Sequence, residues 1–68
     1  MDPVTYSRDL REQSAILAER LAAMEEIVAA TLQTRAERAD PDRATYLLAH
    51  SEAARERAAR LRHRRPPT

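Results

Sequence analysis

The residues with most chemistry to offer are a run of arginines near the end of the chain. Arg55, Arg57, Arg60, Arg62, Arg64 and Arg65 lie within eleven residues beside His63, with Glu56 the one acid among them. Such a patch neutralises phosphates, and the counterions it releases make nucleic-acid affinity steeply salt-dependent. Against that reading, no aromatic side chain is interleaved to stack on bases, and the net charge of the whole chain is only +1. Cations near a helix C-terminus also meet the helix dipole favourably. Nucleic-acid contact through these arginines is therefore the alternative, behind a solvated or partner-facing helix end.

The other candidates are weaker. Glu25-Glu26 is a carboxylate pair in sequence only, because successive helical residues point about 100° apart and cannot share one substrate. His50 could be a ligand, but with no Cys and one distant His it has no co-ligand, and a structural flank position is the plainer reading. Cys and Lys are absent, as are a glycine-rich phosphate loop and a serine in a nucleophile-elbow setting. The expectation is no enzyme, no cofactor and no metal site. Tyr6 and Tyr46, the only aromatics, suit the rim of a helix–helix interface, polar at one end and apolar at the other.

The elements that hold these residues follow from composition and punctuation. Fourteen of the 68 residues are Ala and twelve are Arg, while Gly and Asn are missing; this is a helix-forming mixture with no strand signal. Arginine in every basic position, with abundant alanine, also points to a high-GC bacterial genome. Asp2-Pro3 offers a helix cap followed by proline at the first helical position. Nothing interrupts the helix from there until Ala39-Asp40-Pro41, where Pro41 disfavours helical geometry at Asp40 and Asp40 can cap a second helix. The reading is all-α: one domain over 1–68, helix one at about 4–38, a turn at 39–41, helix two at about 42–63 and a disordered tail at 64–68. A link this short makes the helices antiparallel neighbours in a coiled-coil-like hairpin.

Leu10, Leu17, Leu21, Met24, Val28 and Leu32 recur at helical spacing on helix one, and Ala44, Leu47, Ser51, Ala54, Ala58 and Leu61 on helix two. Facing the two stripes with paired residue numbers summing to near 79 puts Leu32 against Leu47, Val28 against Ser51, Met24 against Ala54, Leu21 against Ala58 and Leu17 against Leu61. The expected core is then large on helix one against small on helix two. Residues 1–34 carry three Arg and six acids and residues 35–68 nine Arg and five acids. Glu12, Glu19 and Glu25 are thereby expected near Arg55, Arg57, Arg60 and Arg62.

Surplus apolar residues remain. Ile16 and Ile27 with Ala23 and Ala30 form a second strip, Tyr46 and Leu48 flank helix two, and Tyr6 and Leu10 extend past its end. Tyr6, Leu10, Ile16, Ile27, Tyr46 and Leu48 are therefore the expected partner interface. A chain this short buries too little surface to fold comfortably alone, and without cysteine it cannot add a disulfide. The expectation is a four-helix bundle completed by a homodimer or by another helical protein, similar in architecture alone to the two-helix Rop dimers. Its function would be a non-catalytic interaction module: an adaptor, inhibitor, regulator or assembly factor. No stretch is apolar enough to span a bilayer, and MDPVTYSRDLRE places acids where a secretory leader would be basic. A cytoplasmic protein is expected.

Overall fold

The structure, a computed structural model, describes residues 2–63. Two helices, α1 (Pro3–Glu37) and α2 (Pro41–His63), form an antiparallel hairpin, with no strand among the described residues. Both starts are capped as the sequence implies. The Val4 amide donates to Asp2 Oδ1 at 3.1 Å and the Arg43 amide to Asp40 Oδ1 at 3.0 Å, in each case with proline next in the chain. Helix α1 ends as the Arg38 amide bonds the Arg35 carbonyl at 3.1 Å and the Ala39 amide that of Ala36 at 3.2 Å, closing the last turn before the proline. The observed bounds lie within one residue of those expected; the tail expected at 64–68 lies outside the described residues.

Register and face have to be separated. Ser51 Oγ, fully buried, donates to the Ala29 carbonyl at 2.8 Å, so facing residue numbers sum to 80, one away from the pattern-based alignment. The face of α1 is different. Its seam toward α2 consists of Ala18, Ala22, Glu25, Ala29, Leu32 and Ala36, all buried or half-buried. Leu17, Leu21, Met24 and Val28, expected in the core, are instead 57%, 42%, 61% and 46% exposed. Each is one residue before a seam position, so α1 is turned by about 100° from the expected orientation. On α2 the expected stripe is the observed one: Leu47, Ser51, Ala54 and Ala58 are buried, and Ala44 and Leu61 half-buried.

The physical reason is size matching. Both seams step by alternating three and four residues, the spacing that keeps a stripe facing a partner helix. Where the middle of one seam is Ala and Ser, as at Ser51, Ala54 and Ala58, the greatest contact comes from an equally small seam, because backbones then approach toward the short end of the usual 8–10 Å interaxial range. A leucine stripe laid on the small residues of α2 would hold the helices apart and leave the alanine flanks unfilled. The close approach also lets the Ser51 hydroxyl reach across to a main-chain carbonyl, satisfying the one fully buried polar side chain. Three threonine hydroxyls bond locally instead: those of Thr31, Thr34 and Thr45 each donate to the carbonyl four residues earlier.

Candidate docking surface

A hairpin of two helices has two broad sides. One is charged. The Arg62 guanidinium bonds Glu19, with its closest contact at 3.0 Å, and Glu26 as well, while Arg55 bonds the Gln33 side chain. Glu19, Glu26 and Gln33 succeed one another at seven-residue intervals, so they line one flank of α1. The hydrogen bonds that Arg62 donates hold the Glu26 carboxyl below its ordinary pKa, and donating them to Glu26 and Glu19 holds the Arg62 guanidinium above its own. All these groups are open to water, so solvent screens the pairs and they add little to stability. Their effect is to disfavour other registers more than to stabilise this one.

The opposite side is apolar. Leu10, Leu17, Leu21, Met24 and Val28 occupy the flank of α1 turned the other way from Glu19 and Glu26, and all are exposed. Across the seam on the same side stand Tyr46 and His50, whose rings lie 4.3 Å apart between centroids, with the Arg43 guanidinium 5.1 Å from the Tyr46 ring centre. The Arg57–Glu25 ion pair, 2.9 Å, crosses the seam here, at the edge of a shallow groove lined by Glu25, Arg57, Arg60, Leu61 and His63. Tyr6 continues the apolar strip toward the N-terminus. With Ser51 opposite Ala29, His63 stands level with Leu17, so among the described residues no second helix lies beside residues 3–16 of α1.

The structure divides the sequence-derived candidates as follows. Tyr6, Leu10 and Tyr46 lie on this apolar side and are exposed; Ile16 and Ile27 are exposed on the back of α1, away from α2, and Leu48 on the charged side of α2. Sequence reasoning missed the centre of the surface, Leu17, Leu21, Met24 and Val28, by assigning it to the hairpin core. The signal that could have found it is the spacing of Ala18, Ala22, Ala29 and Ala36, which mirrors the small-residue stripe of α2.

The arginine run does not form one free patch. Arg55 bonds Gln33, Arg57 pairs with Glu25 and Arg62 with Glu19 and Glu26. Arg57 and Arg62 realise the expected pairing with Glu25 and Glu19; Glu12 stands on α1 below the level of His63 and has no ion pair among the described residues. Arg64 and Arg65 lie outside the described residues. Among the described residues no cluster of His, Cys, Asp or Glu could hold a metal ion, and no helix is long and apolar enough to cross a membrane. No family model, curated protein or solved structure matches this chain.

Proposed function

We propose that this chain is a non-catalytic protein–protein interaction module that acts by helix–helix packing through its leucine face. An adaptor, inhibitor or assembly factor would use such a surface. A second copy, or another helical protein, would complete the hairpin as a bundle, four-helix if that partner also brings two helices. The observation that carries this reading is the exposure of Leu17, Leu21, Met24 and Val28 in one continuous strip. A soluble chain rarely leaves a contiguous apolar surface of that kind uncovered unless it is an interaction site. The hairpin's own seam supports the same view. Apart from Leu47 its fully buried side chains are alanine and serine, whose burial yields far less than the roughly 1.5–3 kcal/mol of a buried leucine.

Thermal unfolding followed by circular dichroism, over a wide range of protein concentration, tests the reading. A midpoint that climbs with concentration fits a chain completed by its own copies. Weak helicity at every concentration fits a chain that waits for a different partner. A cooperative, concentration-independent transition at about 60 °C or above, typical of self-sufficient domains, would contradict it.

A further inference from the structure

We infer that the occupant of the leucine face is a second copy of this chain, with the two α1 helices antiparallel and their two-fold axis level with Glu19. The inference rests on the docking reading above and specifies its partner and geometry. Along the exposed strip the seam positions are Leu10, Ser14, Leu17, Leu21, Met24 and Val28, all exposed. Their steps of four, three, four, three and four read the same in both directions. Reversing one copy about the midpoint between Leu17 and Leu21 therefore sets Leu17 against Leu21, Leu10 against Val28 and Ser14 against Met24. Leu10, Leu17, Leu21 and Val28 each meet an apolar image, and the long Met24 meets the small Ser14. An isologous two-fold contact requires this self-complementarity.

The overhang of α1 argues for the same arrangement. Residues 3–16 form about 21 Å of helix with no neighbour among the described residues of the hairpin, and a helix of that length is marginal in water by itself. Antiparallel docking slides each overhang along the other copy's hairpin, where Val4 comes level with Tyr46 of the second copy and Arg8 with His50. A parallel pairing would place both overhangs together beyond both α2 helices and leave them uncovered on that flank. The antiparallel assembly has four helices in all, with three along most of its length and four around Glu19, where the ends of the two α2 helices overlap. The available area is sufficient. The chain exposes 5790 Å², against roughly 4,300 Å² for a compact monomer of this mass. That excess exceeds the roughly 800 Å² per partner of a stable interface.

Because the chain has no cysteine, single-cysteine variants test the geometry cleanly. Leu10→Cys and Val28→Cys proteins, mixed and equilibrated in a glutathione redox buffer, are expected to form the mixed disulfide at about tenfold the yield of either homodisulfide, because only that pair meets the roughly 7 Å Cα limit. Sedimentation equilibrium of the unmodified chain, which no substitution can compromise, is expected to give the dimer mass at high micromolar concentration. Homodisulfides in excess, or a statistical mixture, would overturn the antiparallel register; if the mass is still dimeric, the docking reading stands. A poorly helical monomer overturns self-pairing and leaves docking to a different partner in place. A stable, fully helical monomer overturns both.

Discussion

Enlarging Ala22 is the perturbation to which the alanine seam should be most sensitive. Ala22 has no exposed surface, and Ala58, its level mate on α2, is 1% exposed. Ala22→Leu adds three carbons where the neighbours are backbone and methyl groups. The helices must separate or tilt, and the separation strains the Ser51–Ala29 hydrogen bond seven residues along. Overpacking of this kind costs about 1–3 kcal/mol. A chain of this size has no more than roughly 3–5 kcal/mol of core stability to lose, and each kcal/mol moves the midpoint of a small domain by about 4–8 °C. The expected drop is therefore about 5–20 °C. Ala23→Leu is the control: the same change one residue on, at a position exposed on α1, should leave the midpoint nearly unmoved. Circular dichroism melts of both variants at two concentrations, with masses from sedimentation, separate loss of hairpin packing from loss of association. If Ala22→Leu melts at or above the parent temperature, the seam is not where we place it. A leucine stripe facing α2 would give that result, since Ala22 would then lie on a flank.

Two further outcomes follow from the caps and the ion pairs. Asp40→Ala removes the acceptor of the Arg43 amide and should destabilise the hairpin by about 1 kcal/mol, with Asp40→Asn restoring most of it in urea titrations; equal stabilities would remove the cap from the account. Glu26 has its pKa lowered by the Arg62 hydrogen bonds, so its contribution is present at neutral pH and fades as pH falls below the ordinary carboxyl value of 4.5. Glu26→Gln should flatten that acid limb of the stability profile and leave the limb above neutrality unchanged, because Arg62 stays charged throughout; an unaltered acid limb would show the pair to be inert.

Much of the architecture was legible in the sequence, for reasons that can be traced to particular residues. Asp2-Pro3 and Asp40-Pro41 each supply a side-chain acceptor followed by a residue without an amide hydrogen, and that local chemistry holds whatever the rest of the chain does. The register was legible because the turn leaves little freedom to slide and because acids on α1 answer arginines on α2, as Glu25 with Arg57 and Glu19 with Arg62 do. The facing surface of α1 was not. The hydrophobic pattern marks Leu17, Leu21, Met24 and Val28 as residues that leave water, without marking whether they pack within the hairpin or between molecules. Two stripes one residue apart compete for α2, and size matching decides between them. Alanine carries little weight on a hydrophobicity scale, so the seam that wins on packing loses on periodicity. The same choice relocates the candidate surface, from the isoleucine strip to the leucine strip beside the seam.

A pair of engineered disulfides tests most directly whether the hairpin closes on alanine and turns leucine outward. In the parent chain with Ala22→Cys and Ala58→Cys, the two thiols sit in the buried seam at the same level, and oxidation under dilute conditions should give an intramolecular disulfide in a helical monomer of raised melting temperature. With Leu21→Cys and Ala58→Cys, the first thiol points about 100° away from its would-be partner, and the intramolecular bond should form slowly and lower the helicity. The reverse ranking, with the Leu21→Cys double variant closing readily and the Ala22→Cys double variant resisting, would mean that leucine faces α2 after all and that the apolar face is the hairpin's own core.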